Sequence, residues 1–566
     1  MLELSILPLV LLSLVCSTLA IPAQAPFEIP QGGIDDLTKP PRKLQGRFLH
    51  ITDIHPDPHY RVGSSEKKAC HRGKPKEGKV AAGFYGHSYS DCDSPFSLTN
   101  YTLEYLEREW ADEIDFVIWT GDSARHDNDR KRPRTTAEIY ALNRVMAKRM
   151  EEVFVRRGIP VVPSIGNNDV WRPNSITSEF SSIWRSFVPF PAYQVFQRGG
   201  YFSVEVIPNS LAVISLNTMY FYDSNTAVGG CELSDPQDPG NLELDWLEVQ
   251  LRLFRDRKMQ VWLSGHVPPS SRNYFPECHV RYVELSLRYQ DTILGHVYGH
   301  MNMDHFFLLD AQALSERRNA SLTSGNEATV LKHNKKELYR LLLQEFADVP
   351  KAENLDHDNY GVVNVAPSLV PTYLPSFRIF VYNTTGELYE PGDLGEDEQR
   401  GLGSRSMRDI ADALCTEPEY QNTWRCQLTQ PWNSNPKSPS RTNALWTPLG
   451  FAQYYMPDLD EATEEDSPKF KLEYLTFPVR ALHPPAAEEA ENATVARKFA
   501  YPIPKRHLPR SLRNSTVTKS KKYAPYGLED LTIPSWTRLA RRLGRKKGKG
   551  LRQRFKEFMY MGGGEA

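Results

Sequence analysis

The chain has 566 residues, 40% of them hydrophobic, and 42 prolines. That is too long for one ordinary domain at roughly 100–200 residues each, and the composition excludes a coiled coil, a collagen, a polytopic membrane protein and a wholly disordered chain. The 68 lysines and arginines nearly balance 70 acids for a net charge of −2, yet Arg497–Lys556 alone carries 19 cations against Glu529 and Asp530, so an acidic body of −19 bears a basic tail of +17.

From Leu4 to Phe27 no residue is charged, and the run ends in small residues around Ala20 and Ala23–Ala25. Residues 1–25 therefore read as a signal peptide or, at about 20 apolar residues, a single-pass signal anchor. Either places the remainder in a lumen or outside the cell. Five Asn-x-Ser/Thr sequons, at Asn100, Asn319, Asn383, Asn492 and Asn514, agree with that compartment. Beyond Cys16 in the leader, six cysteines remain, and no zinc-type Cys/His spacing is present. Sequence does not choose among their pairings. Local bridges Cys70–Cys92 and Cys415–Cys426 are favoured, which leaves Cys231 with Cys278.

Residues 26–46 read as a linker. A series of short apolar runs follows, each closed by polar residues: Arg47–Thr52, Phe116–Thr120, Ile159–Ile165, Tyr201–Val206, Ala212–Leu216, Gln260–Ser264 and Ile293–Tyr298. These predict buried strands. Helical patterns over Leu98–Ile114, Thr136–Arg157 and Leu242–Arg257 lie between them, and Ala366–Asn383 is expected to close the core as a late strand pair. The alternation predicts an α/β core over 47–392, with functional groups on loops at the carboxyl ends of strands. Residues 393–480 read as an irregular appendage. Residues 481–566 read as an acidic spacer and a basic, partly disordered tail, whose paired cations suit proteolytic processing. The tail has two further readings: a polyanion holder or a contact with an anionic membrane.

The strand ends carry the chemistry. Asp53 and His55 follow the first run, Gly121-Asp122 the second, Gly166-Asn167-Asn168-Asp169 the third, Gly265-His266 the sixth, and Gly299-His300-Met301-Asn302 the seventh. Carboxylate, imidazole and amide donors gathered together suit divalent cations. Any one of these marks is weak alone, since Asp and Asn also cap turns; five in order are not.

That order, with the stretches ITDIHPDPHY, CHRG, FYGHSYSDCDSP, TGDSARHD, IGNND and APSLVP–SFRIFVYN, resembles the calcineurin-like metallophosphoesterases. More narrowly it resembles their acid-sphingomyelinase-like branch, and within it the fungal vacuolar endopolyphosphatases. The resemblance implies a four-layered α/β/β/α sandwich and two divalent cations (Mn, Mg, Co or Zn). It also implies a vacuolar location and inorganic polyphosphate as substrate, cut within the chain, with no nucleic-acid partner. Asp122 would bridge the metals; Asp53 and His55 would help hold the first, and Asn167, His266 and His300 the second. Water activated between two metals would attack phosphorus. Asp122, His300, Asn168 and His126 are the candidate catalytic residues, with His126 contacting substrate phosphate or orienting a ligand. Arg125 is a weaker phosphate candidate.

Two positions depart from the family pattern. Asn168 stands where the family has a histidine thought to protonate the leaving group, and Asn302 stands where a second histidine completes the first metal site. A departing phosphate chain is a stable anion and has little need of a proton, whereas an alkoxide does. The substitution therefore favours anhydride over ester cleavage. The alternatives are a secreted phosphodiesterase of the sphingomyelinase type, and a polyphosphate-binding protein without activity.

Overall fold

β-branched and aromatic runs bounded by helices settle into two facing sheets in the computed structural model, which describes residues 44–170, 177–311, 335–391, 433–483 and 502–563. Strands β1 (Arg47–Ile51), β2 (Phe116–Trp119) and β3 (Val161–Pro163) are followed by β4 (Phe202–Ile207), β5 (Leu211–Ser215), β6 (Gln260–Ser264) and β7 (Ile293–Tyr298). Then come β8 (His305–Asp310), β9 (Tyr360–Val365), β10 (Ser376–Tyr382), β11 (Pro448–Tyr455) and β12 (Lys471–Leu475). One sheet runs β12-β11-β10-β1-β2-β3 and the other β4-β5-β6-β7-β9-β8. Within them β1, β2 and β3 are mutually parallel, as are β5, β6, β7 and β9. The carboxyl ends of the motif-bearing strands therefore fall together. Between the sheets Phe48 stacks on Phe116 and Phe380 and meets Trp262 of β6 edge-on at 5.0 Å. Nearer the site a Ser164–Ser215 hydroxyl contact of 2.9 Å joins the sheets.

Helices α1 (Phe96–Glu109), α2 (Thr136–Val153), α3 (Thr177–Ile183), α4 (Tyr193–Gly199), α5 (Pro239–Asp256), α6 (Pro276–Arg288) and α7 (Lys335–Asp348) lie along the chain between these strands. Helix α2 starts where the Thr135 hydroxyl accepts from the Glu138 amide, and α5 where Asp238 accepts from the Gly240 amide ahead of Pro239 at the first turn. Trp110, just after α1, packs on Phe377 and Tyr454 of one sheet. Tyr282 of α6 bonds His296 and Tyr298 of the other, at 2.7 Å each. Helices thus flank both sheets, in the expected four layers.

Three expectations change. Only Ser376–Tyr382 of the predicted late pair is a strand; residues 366–375 form a loop across the site, because the Leu369 and Val370 amides are taken by the carbonyls of Thr52 and Asp53. The boundary at 392 does not end the core, since β11 and β12 extend the first sheet by antiparallel pairing with β10 and each other. The basic tail is not a loose extension over 502–563. It forms α8 (Ile533–Gly544) and α9 (Lys549–Met559), and Trp536, Leu539, Leu543, Phe555 and Phe558 are buried. Gly544 belongs at this junction, because a Cβ there would stand 2.4 Å from the Phe346 carbonyl oxygen of α7.

The Cys70–Cys92 and Cys231–Cys278 bridges form as expected. The Cys415–Cys426 pairing, the leader, Asn319 and Asn492 lie outside the described residues. Among the described residues no helix is long and apolar enough to cross a membrane. Asn100 and Asn514 are exposed. Asn383 is a correction: it is buried, and its side-chain amide donates to Asn443 Oδ1 at 2.8 Å, so the folded chain does not present it for glycosylation.

Candidate metal centre

At the strand ends the backbone turns sharply enough that five non-glycine residues, Asp53, His55, Asp122, His300 and Asn302, take φ between 44° and 67°. Side chains resist this region by roughly 1–3 kcal/mol each, so the surrounding contacts must over-determine it. They do: the Asp53 amide donates to the Gly121 carbonyl, and those of Ile54 and His55 to the Asp122 carbonyl, at 3.1–3.2 Å. Gly166 must be glycine, since a Cβ would lie 2.1 Å from Asp122 Oδ1.

These turns bring the six primary ligand candidates together. Asp122 Oδ2 lies 3.1 Å from His266 Nε2 and 3.4 Å from His55 Nε2, and Asp53 Oδ1 lies 3.6 Å from His55 Nε2. Asn167 Oδ1 sits between His266 Nε2 at 3.0 Å and His300 Nδ1 at 2.8 Å. Asp53, Asp122 and His266 each offer a donor atom within 4.8 Å of the others. His55 Nδ1 faces the Ala124 carbonyl at 2.8 Å, and His266 Nδ1 the Thr120 carbonyl at 2.7 Å. A carbonyl only accepts, so each Nδ1 carries the proton and each Nε2 lone pair is aimed inward, the arrangement metal-binding histidines use.

Electrostatics agree. Burial opposes charging His55 and His266, but Asp122 and Asp53 outweigh it and push both up to about 9. Burial would raise the Asp122 carboxyl, yet His266 and His55 hold it well below the usual carboxylate range. The residues fit a metal pair on a direct observation: His55 Nε2 and Asn302 Oδ1 are buried and have no hydrogen-bond partner. Asn302 donates only a long 3.4 Å contact to Thr372, which leaves its oxygen available as a neutral donor at the position where the family has the second histidine.

Asn168, His126 and Arg125 have different surroundings. Asn168 donates from Nδ2 to Asp122 Oδ2 at 2.9 Å and from its backbone to Oδ1 at 2.8 Å, while Arg134 clamps its carbonyl and side-chain oxygens. It holds the Asp122 carboxylate in place. His126 stacks on His55 with ring centres 4.0 Å apart. Its Nδ1 meets Asp93 at 2.6 Å, and its side chain is 35% exposed, which places it at the mouth. Arg125 is not a phosphate contact, because it is buried and paired with Glu138 at 2.6 Å.

Two supporting residues were not singled out from the sequence. Asp169 accepts from the amides of Asp122, Ser123, Ala124 and Gly166 and from Asn143, at 2.8–3.1 Å, and so shapes the whole second turn. Its place inside the Gly166–Asp169 run was the available signal. Asp93 lies in an insertion tied by Cys70–Cys92, and nothing in the spacing joins it to His126.

Comparison with known proteins follows the same line. Residues 46–301 match the calcineurin-like phosphoesterase family. The chain is 40% identical to an endopolyphosphatase of Cryptococcus neoformans, covering 91% of each chain. It is 34% identical to one of Saccharomyces cerevisiae, over 75% of this chain and 77% of that one. It is 30% identical to one of Schizosaccharomyces pombe, over 89% and 84%. The chain belongs to the endopolyphosphatase family of calcineurin-like phosphoesterases and is a metal-dependent hydrolase.

Proposed function

We propose that the protein hydrolyses internal phosphoanhydride bonds of inorganic polyphosphate, as the names of its relatives describe for them. Asp53, His55 and Asp122, with Asn302, would hold one divalent cation, and Asp122, Asn167, His266 and His300 the other. Such a pair neutralises phosphoryl charge and lowers the pKa of a shared water. The first donor set is rich in oxygen and suits Mn²⁺, Mg²⁺ or Co²⁺. Asn168 keeps Asp122 in place, the Ala124 and Thr120 carbonyls keep both imidazoles in the ligand tautomer, and His126 meets substrate at the mouth.

The observation that carries the substrate class is Asn168. Its amide is committed to Asp122 and its oxygen to Arg134, so it offers no proton to a leaving group. A phosphate chain leaves as an anion without one, whereas an alcohol does not. Gel analysis of long polyphosphate tests the reading. Chains of intermediate length should appear early and vanish with a chelator. Release of monophosphate alone from the outset would overturn internal cleavage, phosphocholine release from sphingomyelin would favour the phosphodiesterase, and binding without turnover the inactive binder.

We also place the protein in the vacuolar lumen, with residues 1–25 as leader or anchor. Two disulfides and the open sequons Asn100 and Asn514 support this. Resistance of the chain to protease in intact vacuoles, lost on lysis, is the expected result.

A further inference from the structure

The C-terminal helices carry charge that the hydrolytic site does not use. Between Arg538 and Lys556 ten lysines and arginines stand without a single acid. A helix that lies on a membrane needs its apolar face for lipid. Here that face is occupied: Trp536 of α8 packs on Phe306 at 4.5 Å, and Phe558 of α9 stacks on Tyr474 at 4.2 Å. What remains outward is cationic. Arg538, Arg545, Lys546, Lys547 and Lys549 are exposed, and among the described residues none has a carboxylate within 4.0 Å. Burial and the neighbouring Arg538 both lower the Arg542 guanidinium pKa, so the cations are close enough to repel.

The segment also leads to the site. After α9 the Tyr560 ring lies 5.8 Å from Tyr373, and the Tyr89 hydroxyl donates to the Met561 carbonyl at 2.9 Å. Tyr373 adjoins Thr372, which receives the Asn302 amide, and Val370, whose amide donates to the Asp53 carbonyl at 2.8 Å. The 11 residues of α9 span about 16 Å at 1.5 Å per residue, so the cations at its start lie about one short helix from the loop beside the metals.

We propose that Arg538, Arg545, Lys546, Lys547 and Lys549 form an exosite that holds the polyphosphate chain away from the bond being cut. This rests on polyphosphate as the substrate. A row of phosphates approaching such a surface releases counterions from both partners, and only a chain long enough to reach both places gains from it. The exosite thus selects long chains for the metal centre.

The test replaces Arg545, Lys546, Lys547 and Lys549 with Gln together, a change confined to exposed side chains and checked by an unchanged melting temperature. The ratio of kcat/KM for long polyphosphate to that for tripolyphosphate should fall roughly tenfold. The salt dependence of long-chain binding should flatten by about one unit of log–log slope per cation removed. Binding of fluorescent long polyphosphate is measured separately in the Asp122→Asn background. If the wild type cuts no polyphosphate the substrate reading fails, while this arm still reads the exosite. Equal binding with and without the four cations overturns the exosite. So does loss of binding to phosphatidylserine vesicles with polyphosphate constants unchanged.

Discussion

At the metal rim five non-glycine residues hold left-handed backbone, and Asp53, His55, Asp122 and His266 are buried among charges of both signs, whereas α8 and α9 have regular helical backbone, an apolar face turned inward and cations turned to solvent. The rim holds strained backbone to aim a few donors, and its carboxylates and imidazoles favour one another's charged forms. The C-terminal helices gain stability from ordinary burial, so the exposed cations from Arg545 to Lys549 are not needed to hold them in place. Removing a group should therefore cost activity at the rim and stability in the helices.

The largest effect is expected from Asp122→Asn, which removes charge from the carboxylate proposed to serve both metal sites. Turnover should drop at least about 10³-fold, the scale of losing a central electrostatic group, and metal content measured by plasma emission should fall with it. Retained activity would remove Asp122 from the centre. Trp536→Ala sharpens the other side: a buried tryptophan lost from a packed site costs about 3–5 kcal/mol, read as a lowered denaturation midpoint. A midpoint equal to wild type would mean the tail is dispensable to the fold. Asn168→Ala is intermediate, since supporting groups around metal ligands are worth roughly 10–100-fold in affinity or activity. Titration with Mn²⁺ should show weaker binding, and an unaltered isotherm would sever Asn168 from the site.

The smallest effect is in pH. His55 and His266 are raised from 6.5 to about 9 by Asp122 and Asp53 against the opposing cost of burial. A raised folded pKa contributes stability that is fully present below the unfolded value and lost as pH rises through the folded one. Metal-free protein should thus melt progressively lower from about pH 6.5 to 9, while metal affinity climbs over the same window because binding expels those protons. A metal-free melting temperature that rises across it would contradict the coupling.

The sequence by itself picked out the candidate metal ligands and the strands that bear them. Asp53, Asp122, Asn167, His266 and His300 each close an apolar strand, and parallel strands bring their carboxyl ends to one edge whatever the intervening loops do. Asn168 was legible as a departure from the family, though only the structure shows its amide on Asp122 and its oxygen on Arg134. What tertiary structure alone decided are contacts between segments distant in sequence. Asp93 reaches His126 from a disulfide-tied insertion; Asn383 is buried against Asn443. Residues 448–475 continue a sheet begun at Arg47 because β10 offers an edge. The tail misled for the same reason: Trp536, Leu539 and Leu543 stand among arginines, and a local window sees mostly charge. The Trp536 partner, Phe306, is over 200 residues earlier, and burial is set by whichever surfaces meet, not by the residues alongside.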